Sequence, residues 1–309
     1  MNANPDNDFR DSGGSRFYEM IFASTAGAGN VDGLPLSYLH SGTGRFFSRS
    51  SLTDSQAYFV LAENISYAHD HYGYANGDVR LYRGTTCLVC PSAYRGEAFD
   101  GEAGTPAFST YLVNGREQQG GLSRNNQNLF YLENAAFAAL GMRFESAWAS
   151  SRYDENIVDP ANPLDYMIRE VVHLRPGTMI VRDLHRRRHA SDTLVARWHL
   201  GPIDTAQNTG GGHYRIGSLN VSAIYPAGVT VSFAGDGDSR QNRVGTLMQL
   251  DFASSTSPME LVTVFSETLT ASSYAGGVLT VSDGTRITFA NGSVSLGSAT
   301  GRRRRAVRR

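Results

Sequence analysis

Short segments rich in β-branched and aromatic residues recur along most of the chain. Gly, Pro, Asn or Asp bounds each segment, and these residues end strands and form turns. Apolar and polar positions alternate imperfectly within the segments, as they do in strands that are buried on both faces. We therefore predict strands at residues 58–63, 79–82, 86–90, 109–113, 129–133, 166–174, 178–184, 193–200, 220–225, 229–234, 246–252 and 260–266.

The carboxy-terminal part of the chain has the clearest turn signals. Residues 278–296 contain Asp283-Gly284 and Asn291-Gly292, two dipeptides that favour the left-handed backbone of a type I′ hairpin turn. They predict a meander of three short strands. The small residues at 134–141 fit a helix, an irregular stretch or a packed strand. Many short strands at this spacing predict an all-β fold, a two-layer antiparallel β-sandwich over residues 34–300.

Both ends of the chain differ from this pattern. Residues 1–16 are polar, lack the apolar core of a secretory signal and are expected to be a disordered lead. Phe17, Met20 and Ile21 form a short helical stripe. Residues 301–309 are a basic block, either a solvated, disordered end or a contact for nucleic acid or an acidic polymer. No run of 18 apolar residues is present, so we expect no membrane span.

Charge and composition narrow the possible ligands. The formal net charge is −1, which provides no overall field for nucleic acid, and we expect no nucleic-acid partner. All 28 Lys-or-Arg positions are Arg. Any acidic ligand is therefore held by guanidinium groups, which grip a carboxylate or sulfate in a planar, two-pronged way.

The segment at residues 67–97 has the highest density of chemically useful side chains. His69 and His71 are two residues apart, so on an extended chain both imidazoles point to one side, where they can move protons or bind a metal. Their alternative is a structural role, because histidine is often partly buried. A sugar acid needs a base, an aromatic wall and groups that hold its carboxylate, and the segment offers Tyr72, Tyr74, Asn76, Arg83 and Arg95.

Two other features leave alternatives open. Cys87 and Cys90 are too few for a disulfide framework, and they suggest either redox or zinc chemistry or two small core residues. Trp198 and His199 either line a groove or belong to the core. Arg186 to Arg188 are expected in a solvated hairpin loop.

The order of several motifs resembles a known family. They are LPLSYLHSGTGRFFSRSS (34–51), AHDHYGYANGDVRLYRG (68–84), TYLVNGREQ (110–118), IREVVHLRPGTMIVRDL (168–184) and RWHLGP (197–202). Together they are similar to the carboxy-terminal β-sandwich domain of heparinase II/III-like polysaccharide lyases, over roughly residues 17–300. RFYEMIFAS (16–24) resembles the last helix of the α/α toroid that precedes this domain in the family.

The resemblance implies an activity, a location and a partner. The family cleaves acidic, uronate-containing polysaccharides such as glycosaminoglycans or alginate by β-elimination, in the bacterial periplasm or cell envelope. His69 matches the active-site histidine of the sandwich, and Tyr74 is the second catalytic candidate. Tyr72, Asn76, Arg83 and Arg95 are then expected to bind substrate. The toroid's own catalytic groups would come from a missing or separate domain.

The resemblance also implies a zinc ion in some members. His71 matches one ligand, Cys90 occupies the position of an Asp ligand, and Phe108 occupies that of a later His. Cysteine can bind zinc and phenylalanine cannot, so we expect either no cofactor or a single zinc held by His71 and Cys90. The alternative to a lyase is a non-catalytic carbohydrate-binding or scaffold module that lacks the toroid.

Overall fold

The strands form three antiparallel sheets in the part of the chain that the computed structural model describes. That part comprises residues 34–64, 75–91, 105–116, 118, 126–148, 162–201, 204–238, 243–290 and 292–298. The chain divides into two units, Met1–Leu36 and Ser37–Arg309, and all three sheets lie in the second.

The strands begin in chain order with β1 (Ser37–His40), β2 (Arg45–Arg49), β3 (Tyr58–Glu63), β4 (Val79–Arg83), β5 (Thr86–Val89), β6 (Tyr111–Val113), β7 (Gln127–Glu133) and β8 (Phe137–Arg143). They continue with β9 (Leu164–Leu174), β10 (Thr178–Arg187), β11 (Leu194–Leu200), β12 (Gln207–Gly210), β13 (His213–Ile216), β14 (Leu219–Ile224), β15 (Val229–Asp238) and β16 (Arg243–Phe252). The last are β17 (Met259–Ser266), β18 (Ala271–Ala275), β19 (Val278–Val281), β20 (Thr285–Ala290) and β21 (Ser293–Ser298). Two short 3-10 helices span Thr105–Ala107 and Glu145–Trp148.

Two large sheets pack face to face, and a small third sheet covers the second. The first sheet has the order β1-β2-β3-β4-β5-β11-β16-β15, with β6 beside β11. The second has the order β12-β13-β14-β17-β10-β9-β8-β7, and the third runs β18-β19-β20-β21. One apolar core lies between the first and second sheets and another between the second and third. The predicted antiparallel β-sandwich is confirmed, with a four-stranded sheet added to it.

Local sequence explains most of the strand bounds. The run predicted at 58–63 is β3, and the meander at the carboxy-terminal end is β19, β20 and β21. Gly284 and Gly292 have φ angles of 85° and 79°, the left-handed backbone that the turn dipeptides predicted. Most of the small residues at 134–141 lie in a strand, β8, which is buried from Phe137 to Met142.

Several elements were not predicted. Strands β1, β2, β12, β13 and β18 are short and contain polar residues, so their sequences lack a clear strand pattern. Arg187 is also not solvated as expected, because β10 extends through it and buries its side chain. Its Nη1 donates to the carbonyl of Asp192 at 2.7 Å.

Some expectations lie outside the described residues. They are the lead and helical remnant at 1–33 and the basic tail at 301–309. Within the described ranges, no helix is both long enough and apolar enough to cross a membrane.

Candidate functional site

The β3–β4 loop (residues 64–78) contains most of the side chains that the sequence singled out. His69, His71, Tyr72 and Tyr74 lie outside the described residues, as does Arg95 further along the chain. The structure does describe the two ends of the loop, which are hydrogen-bonded to each other. Gly77 N–H donates to the carbonyl of Glu63 at 2.8 Å, and Glu63 N–H donates to that of Asp78 at 3.0 Å. The β3–β4 ladder therefore continues into the loop base.

Asn76 lies at the centre of a buried polar group, the Asn76 cluster, formed by Asn76, Thr110, Gln118 and Asn126. Asn76 N–H donates to Gln118 Oε1 at 2.8 Å. Its carbonyl accepts hydrogen bonds from Gln118 Nε2 and Thr110 Oγ1, both at 2.7 Å. Its side-chain Oδ1 accepts one from Asn126 Nδ2 at 2.8 Å. Asn76 is fully buried, so the expectation that it contacts substrate is corrected: it anchors the loop instead.

The Asn76 cluster also brings together the flanks of other segments. Gln118 N–H donates to Thr105 Oγ1 at 2.7 Å, and Ser146 Oγ donates to Asn126 Oδ1 at 2.8 Å. Buried hydrogen bonds of this kind fix the backbone, because a buried polar group that loses its partner destabilises the folded state by about 1–3 kcal/mol. One cluster thus holds residues that flank the segments 65–74, 92–104 and 119–125, which include the positions of His69 and Arg95.

A row of alternating charges continues from the loop base onto the first sheet. Arg80 Nε lies 2.7 Å from Asp78 Oδ2, and Arg80 Nη2 lies 3.4 Å from Glu63 Oε2. Arg45 pairs with the other oxygen of Glu63 at 3.2 Å. Burial raises the pKa of Asp78, although Arg80 opposes this. Burial lowers the pKa of Arg80, but Glu63 and Asp78 outweigh it, so the net direction is upward.

Arg169 supports the loop base from within the core. Its guanidinium is fully buried and forms a two-pronged pair with Asp183, at 2.7 Å and 2.9 Å. Its Nη1 donates to the carbonyl of Ser109 at 2.8 Å and to that of Gly77. Tyr111 Oη donates to Asp183 at 2.8 Å, and burial, followed by the negative charge of Asp183, raises the Tyr111 pKa.

Sequence reasoning missed Arg169 and Asp183. A signal for them was present, because each is a charged residue inside an otherwise apolar run that was predicted to be a strand, and the two strands are consecutive. Charges within buried strands are expected to be paired. The register confirms this, since Arg169 is directly opposite Asp183 in the β9–β10 ladder.

Arg83 is not brought to the loop base. It lies at the other end of β4 from Val79, four residues away, which corresponds to about 13 Å along a strand. Its Nη1 pairs with Glu267 Oε2 at 2.8 Å, and Tyr58 Oη donates to the same oxygen at 2.7 Å. The structure gives Arg83 a pairing role at the opposite end of the sandwich from the loop.

Cys87 and Cys90 form a disulfide, with their Cα atoms 6.0 Å apart. Cysteine binds zinc as a thiolate, which a disulfide-bonded Cys90 does not offer, so the expectation that Cys90 binds zinc is wrong for this structure. Phe108, at the third ligand position, offers no donor atom. The described ranges contain no group of three or more His, Cys, Asp or Glu side chains that would fit a metal ion. A zinc ion therefore stays a prediction that depends on His71.

Trp198 and His199 are buried in the core, so the groove alternative for them is wrong. Trp198 packs against Phe265 and beneath the Arg169 guanidinium, whose carbon lies 4.7 Å from the ring centroid. His199 lies beside the disulfide, where its carbonyl accepts the N–H of Cys90 at 3.0 Å. Trp198 therefore supports the Arg169 side chain, and His199 belongs to the core beside the disulfide.

No family model and no curated protein sequence matches the chain. Solved structures do match. Heparan sulfate lyase HepC from Pedobacter heparinus aligns with a TM-score of 0.63 and 13% identity, over 93% of this chain and 46% of HepC. Heparinase III aligns with a TM-score of 0.57 and 12% identity, over 85% of this chain and 42% of heparinase III.

The chain thus spans less than half the length of these two structures. Identity at this level supports a common fold and no more. The likeness confirms, at the level of fold, the resemblance to the β-sandwich domain of heparinase II/III-like polysaccharide lyases.

Proposed function

We propose that this chain is the β-sandwich part of a polysaccharide lyase that cleaves an acidic, uronate-containing polysaccharide by β-elimination. The observation that carries the proposal is the β3–β4 loop, whose sequence contains His69 and whose base is fixed by the Asn76 cluster. The fold likeness to heparinase III and HepC supports it.

The proposed chemistry assigns a role to each candidate. Elimination requires that the uronate carboxylate be neutralised, that a base remove the C5 proton and that the glycosidic oxygen leave. His69 is proposed as the base on this chain, with Tyr74 as the second candidate, and Tyr72 and Arg95 as substrate-binding groups. A loop fixed at its base lowers the entropy that must be lost when catalytic groups are aligned.

His69 is proposed to give this chain measurable activity by itself, and a partner domain would supply further groups that increase the rate. Because the chain covers 46% of HepC, we propose that it works with an α/α toroid domain, either in the same polypeptide or as a separate one. A periplasmic or cell-envelope location is supported by the Cys87–Cys90 disulfide, since disulfides persist in oxidising compartments.

A second candidate function is a non-catalytic carbohydrate-binding or scaffold module. The low identity favours it, because 12–13% identity to the lyases supports a common fold without indicating that their catalytic residues are retained.

The test measures the unsaturated uronate product. The full chain is incubated with heparin, heparan sulfate or alginate, and the ultraviolet absorbance of the new double bond is followed. We expect product with at least one polymer, and a loss of about 10²–10⁴-fold in rate for His69→Ala, the usual contribution of a general base. His189→Ala is the matched control, because His189 is exposed and outside the loop.

The two candidate functions predict different results. Binding of a polysaccharide without product from any of the three would contradict the lyase proposal for this chain and support the binding module. Equal rates for the wild-type protein and His69→Ala would remove His69 from the proposal.

A further inference from the structure

We propose that Arg169 is a positioning residue that holds the base of the β3–β4 loop against the second sheet. Its side chain is fully buried and cannot touch a polysaccharide. It reaches from β9, in the second sheet, to the carbonyls of Gly77 and Ser109 on the first-sheet side of the core. Its effect on catalysis rests on the proposed function, but its effect on the loop base does not.

The guanidinium is suited to this role by its number of donors. Arginine has five N–H groups in a rigid, planar arrangement. Arg169 uses its Nε and Nη2 for Asp183 and both N–H groups of Nη1 for the two carbonyls. Lysine has one nitrogen and three N–H groups, so it cannot reproduce a two-pronged pair and two separate carbonyl contacts.

The two carbonyls mark where the loop base is closed. Gly77 immediately precedes Asp78, and Asp78 Oδ1 accepts the N–H of Ser109 at 2.8 Å. Arg169 therefore binds the carbonyl that precedes Asp78 and the carbonyl of Ser109, on either side of the Asp78–Ser109 hydrogen bond. The rings of Trp198 and Tyr111, whose centroids lie 4.7 Å and 5.3 Å from the guanidinium carbon, fix its plane.

A purely stabilising ion pair is the competing explanation, and the two can be separated. Replacing a complete buried ion pair with apolar side chains often leaves global stability unchanged, whereas removing one partner does not. The variant Arg169→Met/Asp183→Leu/Tyr111→Phe removes the pair together with the hydroxyl that binds it. It retains apolar packing but has no donor for the Gly77 and Ser109 carbonyls.

The experiment compares amide hydrogen exchange in the full chain with its denaturation by urea. For the triple variant we expect the urea midpoint to fall by about 1 M, because loss of the complete ion pair is nearly neutral and only the two carbonyls lose a donor. We also expect exchange about ten-fold faster at Gly77, Asp78 and Ser109, and unchanged exchange at Leu279 and Ile287 in the third sheet. Wild-type protection at Gly77, Asp78 and Ser109 would overturn the proposal.

Arg182→Met is the matched control. Arg182 also pairs with carboxylates, Glu170 at 2.8 Å and Glu260 at 2.5 Å, but it lies against Phe289 of the third sheet. We expect its replacement to speed exchange in the third sheet and not at the loop base. If the triple variant does not fold, Arg169→Lys replaces it, with faster exchange expected at the same three amides and wild-type protection again overturning the proposal.

Activity provides an independent readout. If the wild-type chain forms the unsaturated product, the triple variant is expected to lose at least about ten-fold in kcat with little change in KM, because a displaced loop misaligns groups after substrate has bound. An unchanged kcat would show that Arg169 holds the loop base without affecting catalysis. If no protein forms product, the proposed lyase function fails, and the exchange data still decide the role of Arg169.

Discussion

The two interiors of this protein are built differently. The first interior lies between the first and second sheets, where apolar residues share the space with buried polar groups such as Arg169, Asp183, His173 and His185. The second interior lies between the second and third sheets, where the buried side chains form an apolar cluster of residues from β8, β9, β10, β17, β18, β19, β20 and β21. The charged Arg182 and its carboxylate partners complete the contact there.

The difference shows which interior depends on specific geometry. Apolar contacts are non-directional and tolerate small adjustments, so they build a sheet-to-sheet contact from almost any well-filled set of side chains. A buried charge requires a particular partner at a particular distance. The first interior therefore supports the candidate loop, and we expect substitutions there to have larger effects than those in the second interior.

The largest effect is expected for Asp78→Leu. Asp78 is fully buried, and its loss leaves the Ser109 N–H without an acceptor and removes one of the carboxylates of Arg80. Removal of one partner of a buried pair costs about 3–5 kcal/mol, and we expect about 4 kcal/mol in the free energy of unfolding. Urea denaturation measures it.

Asp165→Leu is the control for this substitution. Asp165 pairs with Arg186 at 2.6 Å and Arg188 at 3.2 Å, but these side chains are partly exposed to solvent. Exposed ion pairs contribute about 0–1 kcal/mol. If Asp78→Leu and Asp165→Leu lowered the free energy of unfolding by similar amounts, burial would not be the reason that an ion pair contributes to stability.

Gly77→Ala is expected to destabilise the loop base by about 3 kcal/mol. Gly77 has a φ of 79°, where a Cβ costs about 1–2 kcal/mol, and the added atom would lie 2.5 Å from Phe144 Cζ. Gly276, in a turn of the third sheet, has a φ of 57° and open space around its Cβ position. Gly276→Ala should therefore cost only the conformational part, about 1 kcal/mol, in the same urea measurement.

The sequence predicted the second interior better than the first. Alternation in Val278–Val281 and the Asp283-Gly284 turn placed β19 and β20 because strand period and turn geometry are local properties. The Asn76 cluster joins residues 76, 110, 118 and 126, whose proximity depends on the packing of three segments. Asn76 was selected for its residue type, and its burial is a tertiary property. The Cys87–Cys90 disulfide was missed because two cysteines fit several chemistries equally well.

The acid stability of the first interior depends on its neutral histidines. Burial lowers the pKa of His185 to about 3, with a further contribution from Arg187, and burial lowers that of His173 to about 4. In the unfolded chain both have a pKa near 6.5. The contribution of the two histidines to stability is therefore fully present above pH 6.5. It is lost as the pH falls toward 4, because the unfolded chain binds protons at these histidines and the folded protein does not.

His185→Leu isolates one of these contributions. Both ring nitrogens of His185 lack a hydrogen-bond partner among the described residues, and its ring packs against Phe252 at 4.8 Å between centroids. We expect little loss of stability at pH 7. Between pH 6.5 and 5 the variant should lose about 2 kcal/mol less than wild type, at about 1.4 kcal/mol per pH unit. Urea midpoints at several pH values test this, and identical pH slopes would contradict the His185 assignment.

Ile287→Val and Ile216→Val are expected to give the smallest effects, and they compare the two interiors without any change in charge. Both residues are fully buried, Ile287 in the second interior and Ile216 in the first. Each substitution removes one methylene and leaves no polar group unpaired, so each should cost about 1 kcal/mol. Equal losses would show that the two apolar cores are packed alike and that the difference between them comes from the buried charges. If Ile287→Val alone lost more than about 3 kcal/mol in the free energy of unfolding, the apolar packing of the second interior would also depend on exact side-chain shape.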